Sequence, residues 1–379
     1  MVYDYDALRP SYYEINLDAI TRNFRTLRRW VGPKVKIYSC LKRNAYGCGT
    51  QRIARLVEHL GTDGIAVGNI HEAISIRESG VNVPLLLYPN CLPEAAEKVI
   101  QYNLMPTLSS QDEAADWSKN CESPLSVFAK VDVGLLRGGV MFDQALGLIK
   151  AIDSSSALSL AGVYTHLHGY DPATGVEYAN MQFGRFQDIL HEADQAGIEL
   201  PVRMASGSAA VLQFPEMDLD AVDPGSMLFG IRATNDRVRP DELQHALTAI
   251  KSRILLTKDI RVDHVGDYPS PFPVKRTIKI GLIPFGWGDG MPRKMPKDAE
   301  VLIRGKRAPM IGPVHLEHMR VDITSVPHVG AGDQIMIMGQ QGKEEIKLEV
   351  VAQQWGMDIQ QFYGSLKDQL PRCYLHRAK

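Results

Sequence analysis

The chain has 379 residues, 45% hydrophobic and 23% charged, with 42 Lys and Arg against 44 Asp and Glu for a net charge of -2. This is a globular composition with room for two domains. Its basic residues are spread rather than clustered, which argues against nucleic acid, and no apolar run nears the roughly 20 residues that span a bilayer. The segment MVYDYDALRPSYYEINLDAI has no basic start followed by an apolar stretch. Five cysteines, Cys40, Cys48, Cys91, Cys121 and Cys373, form no CxxC pair. Reduced thiols and a cytoplasmic compartment are therefore expected.

From residue 18 the chain alternates helix-period stretches with short apolar runs. Asp18 reads as the cap of a helix to Trp30, because its carboxylate can accept from first-turn amides. Strands are expected over 35–41, 64–68, 83–88, 105–108, 126–131, 161–166 and 200–205, with an eighth inside 222–230. Helical stretches separate them, for example 51–60, 70–79, 94–102 and 178–196. Eight βα units predict an α/β fold of the (β/α)8 TIM type. After residue 240 the helices give way to strand-like runs at 254–262, 274–285, 300–303, 319–323, 334–338 and 346–351, punctuated by Gly and Pro. That texture predicts a separate, mainly-β domain.

In such a barrel, chemistry sits where the strands end at their C-terminal face. Polar residues at those ends are Lys42, Lys130, Arg137, His166, Ser206, Ser208, Asp223 and Ser226. A lysine that directly follows an apolar strand and precedes Tyr46-Gly47-Cys48-Gly49 suits a desolvated, Schiff-base-forming amine better than a solvated charge.

The stretch Leu41-Lys42-Arg43-Asn44-Ala45-Tyr46-Gly47-Cys48-Gly49 resembles the pyridoxal-phosphate (PLP) lysine motif of the alanine racemase family. The segment from Lys130 to Val140 is similar to that family's arginine loop, and Val163-Tyr164-Thr165-His166 to the strand whose histidine packs on the cofactor ring. Pro284-Phe285-Gly286-Trp287-Gly288-Asp289-Gly290 and Arg304-Gly305-Lys306-Arg307-Ala308-Pro309 match segments of its β domain.

The resemblance implies a PLP-binding barrel over 17–240. Residues 1–16 and 241–379 would form a β domain that completes the partner's active site in a head-to-tail homodimer. Lys42 would hold the cofactor and act as one acid/base, and Tyr268 from the partner subunit as the other, since racemisation returns a proton from the opposite face. Arg137 would orient Tyr268 or the substrate carboxylate, supported by Lys130, and His166 would lie against the ring. Tyr46, Ser208 and the amides at Gly225 and Ser226 would hold the phosphate.

Departures from the family pattern cluster at these positions. Where the family has an arginine facing the pyridine nitrogen, this chain reads Val222-Asp223-Pro224-Gly225. An aspartate there favours a protonated ring and a stronger electron sink, unless Arg203 pairs with it. Trp287 replaces a tyrosine near the substrate entrance, Met357 replaces a phosphate-binding tyrosine, and His315-Leu316-Glu317-His318 replaces a substrate-facing segment. Those histidines, with His166 and His168, show no recognised metal-ligand spacing, so no metal is expected.

The expected function is a PLP-dependent racemase or epimerase acting on an amino acid that need not be alanine, with Leu316, Trp287 and Arg137 contacting substrate. Asp223 keeps open a PLP decarboxylase or aldolase on the same scaffold. A non-catalytic PLP-binding protein is the third reading, against which the separate β domain speaks.

Overall fold

The computed structural model describes residues 2–4, 9–168, 175–232, 238–240, 242–264 and 274–376. The chain divides into two compact units, residues 19–244 and residues 1–18 with 245–379. Among the described residues no helix is long and apolar enough to cross a membrane.

The first unit is a closed barrel of eight parallel strands: β1 (Lys36–Cys40), β2 (Gly64–Val67), β3 (Leu85–Leu87), β4 (Leu104–Leu108), β5 (Leu125–Asp132), β6 (Leu158–Tyr164), β7 (Arg203–Ser206) and β8 (Ala221–Val222). Each pairs with its neighbours in sequence, and β8 returns to β1 through Ala221 against Lys36 and Val222 against Ile37. The strands read as continuous apolar runs because both faces are covered, by the interior and by the helices outside.

Aromatic rings pack the interior. Tyr38, Phe128 and Tyr164 meet edge to face, with centroids 5.9 and 6.2 Å apart, and the Tyr164 hydroxyl bonds the Thr107 hydroxyl at 3.0 Å. The outer helices bury one stripe each. Thr50–His59 turns Ile53, Ala54 and Val57 inward, and Ala145–Asp153 turns Leu148, Ile149 and Ile152.

Some boundaries differ from the sequence expectation. The first helix is Leu17–Val31, so Asp18 lies inside its first turn instead of capping it. Its charge still faces the amide end of the helix. The eighth strand is only two residues long, after which the chain turns into a 3-10 helix, Ser226–Phe229. Arg203 opens β7 at its N-terminal end and forms a two-point ion pair with Asp220, at 2.5 and 2.8 Å. The alternative pairing of Arg203 with Asp223 is thereby overturned, because Asp223 follows β8 at the other end of the barrel.

The second unit is built on an eleven-stranded sheet. Tyr12–Asn16 lies between Arg372–His376, which it pairs in parallel, and Leu247–Arg253, which it pairs antiparallel. Residues 346–351, read from sequence as a strand, instead contain the end of a short strand, Glu344–Ile346, and the helix Leu348–Gln354. Leu348, Val351 and Ala352 are buried there at helical spacing, which decides between two periods that a short apolar run leaves open.

Inside the barrel unit, Arg239 and Asp218 form an ion pair at 2.6 Å, with side chains 8% and 7% exposed. The same guanidinium donates to the Val211 carbonyl at 2.6 Å and the Trp30 carbonyl at 3.4 Å. Arg239→Ala would strand a buried carboxylate, so it is expected to lower unfolding free energy by about 3–5 kcal/mol in urea titration.

Candidate active site

The end of β1 sets the geometry of the barrel mouth. Lys42 follows it after Leu41, and Arg43, Asn44, Ala45 and Tyr46 then take left-handed backbone, with φ between 50° and 56°. Such a run costs about 1–2 kcal/mol per residue and needs outside support. Glu72 supplies some, its Oε1 accepting the Asn44 amide at 2.8 Å. The Asn44 side chain in turn accepts the Thr50 amide at 2.8 Å.

The turn carries Tyr46 back across the barrel end. Its ring lies 5.2 Å from that of Phe229, and its buried hydroxyl faces the Ser226 backbone and the Cys40 thiol. A Cβ on residue 225 would come within 2.3 Å of that hydroxyl, so only glycine fits beneath it. Beside it, the amides of Gly225 and Met227 converge on Ser208 Oγ at 2.9 and 3.4 Å. Converging amides and hydroxyls of this kind suit one end of an anion.

Asp223 is buried, and its two oxygens differ. Oδ2 accepts the Tyr88 hydroxyl at 2.7 Å, whereas Oδ1 is buried without a hydrogen-bond partner. Burial pushes this carboxyl up to about 6, against the pull of the Tyr88 hydrogen bond and of Lys42 and Lys130. Close by, a Cβ on Gly207 would lie 3.1 Å from the His166 ring and 3.5 Å from Asp223 Oδ1. Burial, together with the charges of Arg137, Lys42 and Lys130, lowers His166 to about 3, so its imidazole is neutral at working pH.

The end of β5 and the loop after it contribute two more cations, Lys130 and Arg137. Asp132 accepts the amides of Gly134, Leu136 and Arg137 at 2.8–3.0 Å, which folds the loop on itself. From the helix Gly175–Gln195, Tyr178 and Arg185 donate to the carbonyls of Gly134 and Val133 at 2.7 and 3.0 Å. Lys130 stands 5.6 Å from the Tyr164 ring centroid. Burial and the neighbouring Arg137 lower it to about 8. Three cations, Lys42, Lys130 and Arg137, thus gather around His166 at this end of the barrel, an arrangement that suits an anionic ligand.

The fit to PLP rests on these donors. Lys42 offers an amine, the 208 and 225–227 segments offer an anion cradle, and the buried Asp223 Oδ1 offers an acceptor with no occupant in the protein itself.

The barrel therefore brings together Lys42, Tyr46, Arg137, His166, Ser208, Asp223, Gly225 and Ser226, each at or after the C-terminal end of a strand. Sequence reasoning passed over Tyr88 and Glu72. Tyr88 carried the same signal as the others, a polar group directly after a barrel strand, but read as the strand's last residue. Glu72 acts only through a turn that no sequence pattern announces.

Trp287 and Leu316 belong to the other unit, where they sit together. Trp287 and Gly288 donate their amides to the carbonyls of His315 and Leu316 at 3.0 and 2.8 Å, and the two side chains are 40% and 50% exposed. Met357 follows the turn that ends Leu348–Gln354 in the same unit. Tyr268 lies outside the described residues. Among the described residues no three His, Cys, Asp or Glu side chains form a group that could hold a metal.

Comparison with known proteins agrees with this geometry. The family model for the alanine racemase N-terminal domain matches residues 15–233, and that for the C-terminal domain residues 247–374. The alanine racemase of Carboxydothermus hydrogenoformans is 31% identical over 373 residues, 97% of this chain and 100% of that protein. That of Halothermothrix orenii is 30% identical over 372 residues, covering 97% and 98%. The solved alanine racemase of Clostridium difficile 630 superposes with a TM-score of 0.88 at 25% identity, over 98% of this chain and 97% of that one. Matched in both of its units, the chain belongs to the alanine racemase family of isomerases.

Proposed function

We propose that this protein is a PLP-dependent amino-acid racemase that exchanges the substrate's α-proton between two bases. The observation that carries the reading is the meeting of Lys42 with the buried, unpartnered Oδ1 of Asp223 at one end of the barrel. When bound, PLP supplies an electron sink for negative charge at the α-carbon.

The protein's own groups do the rest. Lys42 would hold the cofactor through its amine and move a proton on one face of the α-carbon. Ser208, Tyr46 and the amides of Gly225 and Ser226 would hold the phosphate. His166, neutral, would lie against the ring without competing for its proton. Asp223 would face the pyridine nitrogen and favour its protonated form.

Arg137 would orient the substrate carboxylate or the second base, with Lys130 beside it. Tyr268 of the partner subunit is proposed as that second base, which makes a head-to-tail homodimer a requirement for turnover. The partner subunit's Trp287 and the partner subunit's Leu316 would border the substrate and set its size. Alanine is one substrate this allows, and a larger amino acid is another. The five cysteines form no disulfide, which suits the cytoplasm.

A strong electron sink also serves decarboxylation and aldol cleavage, and Asp223 favours that second reading. A chiral assay in deuterated water separates the two. The purified, PLP-loaded protein is incubated with each proteinogenic L-amino acid and with D-alanine. A product of inverted configuration bearing α-deuterium is expected, whereas carbon dioxide or an aldehyde without inversion would select the lyase. Tyr268→Phe is expected to lower racemisation by about 100-fold or more while one-face deuterium exchange survives. Unchanged racemisation would remove Tyr268 from the mechanism.

Asp223 also makes a pH prediction for the cofactor-free protein. Its native carboxyl binds a proton more tightly than the ordinary value of 3.8, at about 6, so stability falls as pH rises through that interval. Asp223→Asn should therefore raise the melting temperature relative to wild type at pH 7.5. The difference corresponds to about 3 kcal/mol and should close by pH 4.

A further inference from the structure

We infer that Tyr88 is a positioning residue for Asp223: its hydroxyl occupies Oδ2 and leaves Oδ1 as the atom that meets the pyridine nitrogen. The inference rests on the PLP reading above and goes beyond it, to what decides where the proton between carboxylate and ring resides.

Three observations support it. First, the two oxygens are not equivalent: Oδ2 accepts from Tyr88 at 2.7 Å, and Oδ1 is buried with nothing to accept from. Second, Oδ1 lies on the side of His166 and Gly207, where a Cβ on residue 207 would come 3.1 Å from the His166 ring and 3.5 Å from Oδ1, so the glycine keeps a side chain away from that oxygen. Third, the Asp223 backbone and the Tyr88 ring are both held in place. The Asp223 amide is tied to the Ser206 carbonyl at 3.0 Å. The Tyr88 ring rests 6.1 Å from the Tyr164 ring, which Thr107 anchors through a 3.0 Å hydrogen bond.

The chemistry follows from basicity. A buried carboxylate facing a pyridine nitrogen shares one proton with it, and the more basic partner keeps that proton. Burial makes the Asp223 carboxylate more basic and would draw the proton onto oxygen. The Tyr88 hydrogen bond stabilises the anion and so leaves the proton on nitrogen. Lys42 and Lys130 push in the same direction, while Cys40, Tyr46 and Tyr164 also face Asp223 as neutral groups. Of these, only the Tyr88 hydroxyl is hydrogen-bonded to the carboxylate.

The test uses holoenzyme reconstituted with PLP carrying nitrogen-15 in its ring. The ring-nitrogen chemical shift is read at pH 7.5 for wild type, Tyr88→Phe and Asp223→Asn. Wild type is expected at the protonated position and Asp223→Asn at the unprotonated one. Tyr88→Phe is expected between them, its protonated-to-unprotonated ratio lower by about tenfold, as for loss of one hydrogen bond to a charged group. In α-deuterium exchange, Tyr88→Phe should lower kcat by about tenfold and leave KM within about twofold.

A Tyr88→Phe shift equal to wild type overturns the inference. So does an unprotonated ring in wild type, which needs no variant to observe. Either result leaves the PLP reading standing, because the labelled cofactor is seen bound. A wild type that takes up no PLP, or whose bound-PLP absorbance survives Lys42→Ala, overturns that reading and the inference with it.

Discussion

The left-handed run from Arg43 to Tyr46 is the constraint on which the barrel mouth depends. A strand that simply continued into an outer helix would carry the residues after Lys42 away from the barrel axis. The left-handed turn instead sends Tyr46 back over Gly225, next to β8, while Lys42 remains at the end of β1. The first and last strands of the ring are thus joined twice, by their ladder and by a tyrosine resting on a glycine. Glu72 and Thr50 hold the turn from the side, so the local conformational cost is offset by groups that touch no ligand.

Charge is arranged around the same point. Arg137 and Lys42 oppose the charge on the buried Lys130, and Asp223 and Asp132 support it. Beside them stands a histidine that stays neutral, because burial first and the surrounding cations second oppose its protonation. Asp223 itself is a carboxylate divided between two roles, one oxygen turned to the protein and one left to a ligand.

Much of this was legible in the sequence, for a physical reason. Buried parallel strands read as apolar runs, and a polar residue just past such a run marks the mouth of the barrel, as Lys42, His166 and Asp223 do. What was not legible came from interactions that have no period. The helix Leu348–Gln354 and a buried strand share the same few apolar letters, so 346–351 could be read either way. Arg203 stands near the place where the family has a histidine beside its arginine, yet a β-strand carries its first and last residues to opposite ends of the barrel, and at its own end Arg203 meets Asp220. Tyr88 looked like the last apolar residue of β3, and its hydroxyl acquired a purpose only through a partner 135 positions away.

The sheet of the second unit has a bearing on how the chain is made. Tyr12–Asn16 is an inner strand of that sheet, and both of its neighbours, Leu247–Arg253 and Arg372–His376, emerge much later. During synthesis the barrel, residues 19–244, is complete while this early strand still has no edge to join. The strand must wait, exposed, through the translation of more than two hundred residues. A half-apolar segment with unpaired amides is an aggregation hazard for that whole interval. Its short length of five residues keeps that hazard small.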